Sequence, residues 1–305
     1  MTSPESLMVE GTVRVPGSSA NLGPGFDVLA VAVSLYIDIK ASLSDRFEVT
    51  AIGEGSDIEV NSEHLGAIVA REVLGHDNVH LQVSSDVPFA RGLGSSAAFA
   101  IGVAYALGAN DPLSLATKLE GHPENAAASF YGGLIAAGVV EGGPVVERLK
   151  IDDRIGLVLV VPETRLATAE ARKTLVDSIT REDAVFNLQR AVLLSHALSD
   201  ISHLNQGLFD DRIHQSQRSR LFPDAISIID ILLHSGAIGA TWSGAGSTMV
   251  GFVDSKDSSV ILGEVKTHLK GLKIEARVIS AGVDTAGVRV LSSVSADYLD
   301  TSDGL

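Results

Sequence analysis

The sequence contains no cysteine, which excludes disulfides, thiolate nucleophiles and cysteine-ligated zinc. Basic residues are also few: 23 Lys and Arg stand against 38 Asp and Glu, for a formal charge of −15 at pH 7. Nucleic acids and anionic membranes bind clustered basic side chains, so this balance argues against both as partners. An anionic small molecule would have to be bound by a few well-placed arginines and backbone amides.

Long apolar runs are missing as well. The longest, at 97–107, is interrupted by Gly102 and is well short of the ~20 residues that span a bilayer. The first ten residues include Glu5 and Glu10 and have no basic segment followed by an apolar one, so they do not resemble a signal peptide. A chain of 305 residues with 45% hydrophobic content can bury a sizeable core, and we expect a folded cytoplasmic protein.

Hydrophobic periodicity predicts an α+β chain without a regular βαβ repeat. A Gly-, Pro- and Ser-rich turn is predicted at 16–25. Strands are predicted at 12–15, 28–39, 79–83, 134–140, 155–161, 238–242, 248–253 and 274–279. Helices are predicted at 63–74, 96–107, 113–119, 123–130, 184–198, 224–233 and 259–269. The expected organisation is an N-terminal domain at 1–155, a C-terminal domain at 156–290 and a flexible tail at 291–305.

The segment at 88–98 carries the clearest chemical signal. It reads Pro-Phe-Ala-Arg-Gly-Leu-Gly-Ser-Ser-Ala-Ala and lies between a predicted strand and a predicted Ala-rich helix. Glycines let a backbone approach a ligand closely, and a helix N-terminus presents free N–H groups to an anion. No Gly-Lys-Ser/Thr follows, so this is not a Walker A loop. The segment predicts a phosphate-binding loop, whereas an isolated Gly-Leu-Gly would more often be an ordinary turn with a Ser cap.

Three segments together resemble the GHMP kinases, the superfamily of galactokinase, homoserine, mevalonate and phosphomevalonate kinases. The loop at 88–98 is similar to their ATP-binding loop. The segment at 16–27, Pro-Gly-Ser-Ser-Ala-Asn-Leu-Gly-Pro-Gly-Phe-Asp, resembles the N-terminal motif of the homoserine kinase branch. The segment at 243–248, Ser-Gly-Ala-Gly-Ser-Thr, is similar to the C-terminal glycine motif, with Ser247 where Pro is usual.

The resemblance, which covers roughly residues 10 to 290, implies the α+β GHMP kinase fold. In that fold an N-terminal domain of the ribosomal protein S5 domain 2 type and a C-terminal ferredoxin-like domain have the active site between them. The implied activity is ATP-dependent phosphorylation of the L-homoserine side-chain hydroxyl to O-phospho-L-homoserine, in threonine biosynthesis. ATP and Mg²⁺ are the implied cofactors, and a homodimer is a family expectation.

The resemblance also implies roles for particular residues. For ATP, the contacts are expected from Pro88, Arg91, Gly92, Leu93, Gly94, Ser95, Ser96, Ala97 and Ala98. Glu120 is implied as the magnesium carboxylate with Ser96 as its partner, a sparse set that suits an ion that also binds phosphates and water. Asn21, Ser96, Glu120 and Asn125 are the expected catalytic residues.

The amino-acid acceptor needs groups for an ammonium, a hydroxyl and a carboxylate. Asn21 and Asp27 offer an amide and a carboxylate within one loop. By resemblance, His122 and Asn125 line the homoserine pocket, Gly244 contacts the substrate, and Arg172 and Arg218 bind its carboxylate, for which the planar guanidinium is suited. Weaker candidates for that carboxylate are Arg91 and Arg220.

Some assignments stay open at this stage. Asparagine cannot accept a proton, so Asn125 is no general base, and positioning with charge neutralisation can supply most of the acceleration in phosphoryl transfer. Neither Asn61 nor His64 can be assigned to the adenine base. Two rival functions remain: a GHMP kinase for another alcohol, such as shikimate or mevalonate, and a non-catalytic GHMP sensor. Loss of Glu120 or Ser96 would have indicated the sensor, and both are present.

Overall fold

The computed structural model describes residues 8–291, which form two β-sheets with helices packed against them. The first sheet contains seven strands: β1 Thr12–Ala20, β2 Leu29–Leu43, β3 Glu48–Gly53, β4 Val79–Ser85, β5 Leu134–Val140, β6 Gly143–Leu149 and β11 Arg289–Leu291. Its main path runs β11-β1-β2-β4-β3, and β5 pairs with the start of β2 and with β6. Only the β3–β4 pair is parallel among these described strands.

The second sheet contains β7 Ile155–Pro162, β8 Gly239–Trp242, β9 Met249–Asp254 and β10 Ala276–Gly282. Its order is β10-β7-β9-β8 and all its pairs are antiparallel. In chain order this is 4-1-3-2, with helices in the connections from β7 to β8 and from β9 to β10, which is the ferredoxin-like arrangement. The implied ferredoxin-like fold of the C-terminal half is confirmed.

Nine helices are described in the residues from 8 to 291: α1 Leu65–Leu74, α2 Ser95–Ala106, α3 Pro112–Glu120, α4 Glu124–Tyr131, α5 Thr168–Lys173, α6 Arg181–Ala197, α7 Gln215–Arg218, α8 Asp224–His234 and α9 Ser258–Leu272. None of these is long and apolar enough to cross a membrane. α2 is the central helix, packed on β1 and β2 and flanked by α1, α3 and α4. Its Ala-rich sequence suits burial on every side, because small side chains let neighbouring elements approach closely.

Two hydrophobic clusters hold the fold together. The larger one surrounds α2 and extends through Phe209 and Phe252 into the second sheet. The smaller one lies between the second sheet and helices α8 and α9, around Trp242 and Phe222. Since the larger cluster crosses from one sheet to the other, the two halves share apolar packing, which fixes the relation between the loops that each half contributes to the site.

The structure departs from the predictions at one turn and in strands that the sequence did not predict. The predicted turn at 16–25 begins only at Asn21, because β1 continues through a register shift between Pro16 and Gly17 and pairs with β2 up to Ala20. A bulge of this kind accommodates a proline that cannot donate to the ladder. Strands β3 and β6 were missed, since neither contains a buried residue and both show weak alternation. β11 returns the chain to the first sheet, next to β1.

The predicted division into 1–155 and 156–290 stays a prediction. The predicted flexible tail at 291–305 lies outside the described residues apart from Leu291, which ends β11.

Candidate active site

The segment at 88–98 that is predicted to bind phosphate, called the phosphate loop below, follows β4 and runs into α2, and it lines one cavity of about 530 Å³. Gly94 precedes α2 in the left-handed conformation, with φ of 63°. A Cβ at this position would overlap Ser18 Oγ and come within 2.9 Å of Asn125 Oδ1. The amide of Ala98 donates to the Gly94 carbonyl over 2.9 Å, so the three amides before it have no partner within the helix. This end of α2 can therefore bind an anion.

The structure brings some residues of the predicted phosphate loop to the cavity and keeps others away from it. Gly92, Gly94, Ser95 and Ser96 line the cavity, whereas Pro88, Arg91, Leu93, Ala97 and Ala98 do not. For Arg91, the expected contact with ATP or with an acceptor carboxylate stays a prediction. Its guanidinium donates to the carbonyls of Pro162 at 2.8 Å, Glu163 at 2.6 Å and Phe89 at 3.2 Å. Arg91 joins the loop to the end of β7.

The C-terminal glycine motif packs directly against the same loop. Ser243 Oγ donates to the Gly92 carbonyl at 2.6 Å, and the Thr248 amide donates to the Arg91 carbonyl at 3.1 Å. Ser247 donates its hydroxyl to the Thr164 carbonyl. The loop is thus held between both halves of the chain.

Ser96 and Glu120 meet at the N-terminus of α2. The Ser96 hydroxyl donates to Glu120 Oε1 over 2.5 Å, and both residues line the cavity. Hydroxyl and carboxylate oxygens are the donors that hard divalent cations prefer. No cluster of three or more His, Cys, Asp and Glu suited to a metal occurs in the described chain, so a cation here would have to complete its shell with ligand phosphates and water.

One part of the cavity, called the polar compartment below, is formed by Asn21, Asp27, Arg172, Arg218 and Gly244. Asn21 has a φ of 71°. Its Nδ2 donates to the Gly244 carbonyl at 2.8 Å, and its Oδ1 accepts from the Asp27 amide at 3.0 Å. Arg172 donates to both Asp27 oxygens, at 2.9 and 2.6 Å. The loop after β1, the end of α5 and the C-terminal glycine motif therefore converge here.

Arg218 is the most enclosed member of the polar compartment, with 2% exposure. Its Nη1 donates to the Gly244 carbonyl at 2.8 Å, and its guanidinium lies 5.3 Å from the centre of the Phe26 ring. Burial, with Arg172 nearby, lowers the pKa of Arg218 to about 10. The side chain stays positively charged at neutral pH. Arg220, the weaker candidate two residues on, does not line the cavity.

Below pH 6.5, His214, which is fully buried next to Arg218, should make the protein less stable. Burial lowers the pKa of His214 to about 4, although the charge of Asp211 opposes the shift. As pH falls from 6.5 towards 4, the unfolded chain binds a proton here that the folded chain does not. The free energy of unfolding should therefore decrease, by about 2 kcal/mol between pH 7 and pH 4.5 from this residue alone. Urea unfolding at the two pH values measures the loss, which should shrink in His214→Gln; equal losses in both proteins would contradict it.

His122, Glu124 and Asn125 follow α3 and begin α4. Asn125 Oδ1 accepts from Ser18 Oγ at 2.9 Å. His122 Nδ1 lies 2.9 Å from Glu124 Oε1, although the two are not aligned as a hydrogen bond. Burial alone would lower the pKa of His122, but the contact with Glu124 and its charge outweigh burial and raise the pKa.

Glu124 is a cavity residue that the sequence reasoning missed. It is 1% exposed, and its Oε2 is buried without a hydrogen-bond partner among the described residues. A glutamate in the first turn of a helix is common because it complements the helix dipole. Its place in the sequence therefore did not indicate that the side chain would line the cavity next to His122 and Asn125.

An apolar compartment forms the remaining part of the cavity and was also missed. Its walls come from β3, β4, α1, α2 and the loop before α1, through Val49, Ala51, Ile58, Val60, His64, Leu65, Val83 and Phe99. His64 caps α1 by accepting from the Gly66 amide at 3.1 Å. Its ring centre lies 5.4 Å from that of Phe47, at a tilt, and 5.7 Å from that of Phe99, edge-on. Burial lowers its pKa. Asn61 does not line the cavity; it accepts from the Glu63 amide instead.

This architecture is typical of a class of protein: one cavity is lined by a glycine loop at a helix N-terminus, by apolar side chains and by charged side chains. The family models of the GHMP kinases N-terminal domain and of the GHMP kinases C-terminal region match residues 57–133 and 190–271. The chain belongs to the GHMP kinases and is an ATP-dependent kinase.

Three relatives show which branch of the GHMP kinases the chain resembles. The homoserine kinase of Desulfitobacterium hafniense is 32% identical over 92% of this chain and 99% of its own length. That of Moorella thermoacetica is 35% identical over 81% of this chain and 89% of its own. The crystal structure of homoserine kinase from Cytophaga hutchinsonii superposes with a TM-score of 0.80 at 25% identity, covering 92% of this chain and 97% of the other. Within the GHMP kinases, the chain is a member of the homoserine kinase family.

Proposed function

We propose that the protein transfers the γ-phosphoryl group of ATP to the side-chain hydroxyl of L-homoserine, giving O-phospho-L-homoserine for threonine biosynthesis. The observation that carries the proposal is the polar compartment next to the phosphate loop. It holds a carboxylate, Asp27, and two guanidinium groups, Arg172 and Arg218. A compartment with fixed charges of both signs suits a small zwitterion, and it lies where a phosphoryl acceptor has to bind.

ATP would lie across the phosphate loop with its base in the apolar compartment. The free amides at the start of α2 and the hydroxyls of Ser95 and Ser96 would bind its phosphates. Val60, Leu65 and Phe99 offer apolar surface to the adenine ring, and His64, kept neutral by burial, adds no charge there. This placement leaves the terminal phosphate at the junction with the polar compartment.

Ser96 and Glu120 would hold Mg²⁺. Two hard oxygens 2.5 Å apart at a helix N-terminus fit an ion that takes one or two protein ligands together with substrate phosphates. When bound, Mg²⁺ neutralises negative charge on the transferring phosphoryl group. Glu120, at the end of α3, and Ser96, in the first turn of α2, fix the side of the loop on which it binds.

Asn21 and Asn125 would position the acceptor hydroxyl. Both are buried and both are fixed by hydrogen bonds, to Gly244 and Asp27 for Asn21 and to Ser18 for Asn125. Amides can orient a hydroxyl but cannot take its proton. The loose transition state of phosphoryl transfer requires alignment of the nucleophile more than its activation, so this rigid pair suffices.

Phosphorylation of a different alcohol is the second candidate. Arg172 and Arg218 would also bind the carboxylate of shikimate or mevalonate, and only the amino group of homoserine calls for the additional carboxylate of Asp27. The acceptor therefore has to be decided by turnover.

ADP release from Mg·ATP should be measured for the purified protein with L-homoserine, shikimate, mevalonate and no acceptor. Selective release with L-homoserine is the expected result. Selective release with another acceptor would support kinase activity but would contradict L-homoserine as the acceptor. No release with any of them would favour a non-catalytic nucleotide sensor. A homodimer and a cytoplasmic location stay predictions.

A further inference from the structure

The hydrogen bonds of Arg218 leave one edge of its guanidinium without a partner among residues 8–291. All bonds formed by this group within residues 8–291 run through Nη1, to the Gly244 carbonyl and to His214 Nδ1. Nε is buried without a partner. Nη2 is neither bonded nor enclosed, and the side chain lines the cavity. Nε and Nη2 lie on the same edge and form the fork that binds a carboxylate through two parallel bonds.

The guanidinium of Arg172, unlike that of Arg218, is paired with a carboxylate. Both of its Nη atoms already donate to Asp27, over 2.9 and 2.6 Å. Of the two arginines expected to bind the acceptor carboxylate, Arg218 is therefore the one whose charge has no carboxylate partner among the described residues. Its orientation decides where a carboxylate is bound.

His214 fixes that orientation from behind. Its Nε2 lies 2.8 Å from the Gly23 carbonyl, which can only accept, so Nε2 carries the hydrogen. Nδ1 is then an acceptor and lies 3.2 Å from Arg218 Nη1. The imidazole also stacks on Phe26, with ring centres 5.1 Å apart, and Phe26 lies beneath the guanidinium.

The His214 ring is itself held by a buried network. Asp211, whose side chain is fully buried, accepts from the amides of Ile213, His214 and Gln215 and from Asn187 Nδ2. Asn187 Oδ1 in turn accepts from the Arg212 amide. These contacts join α6 to the turn before α7, and so they fix the position of His214 relative to Arg218.

We propose that His214 is a positioning residue: it holds Arg218 Nη1 so that the Nε–Nη2 edge faces the carboxylate of the phosphoryl acceptor. The inference rests on the proposed function, because it assigns a carboxylate-bearing acceptor to the polar compartment. A neutral acceptor nitrogen is required here, since a protonated imidazole would offer Arg218 a second positive charge and no lone pair.

Two variants of His214 separate the two bonds of its ring. His214→Asn keeps an acceptor near the position of Nδ1, and His214→Gln keeps a donor near the position of Nε2. In His214→Gln we expect the KM for L-homoserine to rise about tenfold or more, in line with the weight of a hydrogen bond to a charged group. The kcat and the KM for ATP should stay within about twofold of the wild type. His214→Asn should recover most of the lost affinity for L-homoserine.

A double-mutant cycle with Arg218→Lys tests whether His214 acts through Arg218. If it does, His214→Gln should raise the KM by less than about twofold when Arg218 is already lysine, because the effects of coupled residues are not additive. An equal factor in both backgrounds, or parallel increases in the KM for ATP, would overturn the proposal and leave His214 a residue of general stability. Should His214→Gln not fold, His214→Leu in the same cycle gives the comparison, because it also removes the acceptor at the position of Nδ1.

Failure of this inference can be told apart from failure of the proposed function. If the wild type does not phosphorylate L-homoserine, the proposed acceptor is wrong, and the cycle is then run with the carboxylate-bearing acceptor that the enzyme does use. If the wild type phosphorylates L-homoserine and His214→Gln retains its KM, only the positioning role of His214 is wrong.

Discussion

Glu120→Gln is expected to lower kcat by about a hundredfold to a thousandfold, the cost of removing one group that stabilises charge in a transition state. Glu120 accepts from Ser96 Oγ over 2.5 Å at the N-terminus of α2. Glutamine keeps the size of the side chain and one oxygen but loses the negative charge that would hold Mg²⁺ against the phosphates. Turnover at saturating substrates and the Mg²⁺ concentration for half-maximal rate measure the effect, and the latter should increase.

A matched control for this variant is Glu72→Gln. Glu72 lies on α1, outside the cavity, and pairs with Lys118 over 2.9 Å at the surface. It undergoes the same chemical change, and a surface ion pair contributes about 0–1 kcal/mol to stability. Its kcat should equal that of the wild type. A Glu120→Gln enzyme that turned over as fast as this control would disprove the assignment of Glu120 to the metal.

Gly94→Ala should lower kcat/KM for ATP by about a hundredfold, because a displacement of roughly 1 Å in a catalytic loop has that effect. Gly94 has a φ of 63°, and an added Cβ would overlap Ser18 Oγ and approach Asn125 Oδ1 to 2.9 Å. The neighbours can yield only by moving the loop or Asn125. Steady-state kinetics with ATP as the varied substrate measures the loss.

The control for this substitution is Gly75→Ala at the end of α1. Gly75 has a φ of 80°, and an added Cβ would have no atom within 4 Å. Both variants therefore lose about 1–2 kcal/mol of stability from the left-handed backbone conformation, but only Gly94→Ala disturbs the site. Similar catalytic losses in the two variants would show that backbone strain alone, and not the overlap with Ser18, is responsible.

The bounds of the predicted helices lie closer to the observed ones than those of the first two predicted strands. α2, α6 and α8 follow apolar patterns of ten or more residues that exclude other readings, and their observed bounds lie within three residues of the expected ones. β3 and β6 could not be predicted, because an exposed strand is stabilised by its neighbour and not by its own pattern. The same holds for β1, whose pairing with β2 extends through Pro16.

The residues of the candidate site also fall into two groups: those that the sequence predicts and those that it does not. Gly94, Ser96, Glu120 and Arg218 belong to motifs with fixed spacing, and the structure brings them to one cavity. Glu124 and His214 have no such signal: their importance arises only when α4 faces the phosphate loop and α7 faces Gly23. Long-range contacts of this kind depend on how distant segments pack, which local sequence patterns do not encode.

The return of the chain to β1 through β11 has a mechanical consequence. The second sheet is reached from β6 and left again towards β11, so it is attached to the first sheet by two covalent connections. A unit attached at two points can bend about the line between them but cannot swivel freely, as one on a single tether can. Any opening of the cleft would therefore be a rotation about a single axis. Arg172 and Arg218 would move away from the phosphate loop together and return to it in the same alignment.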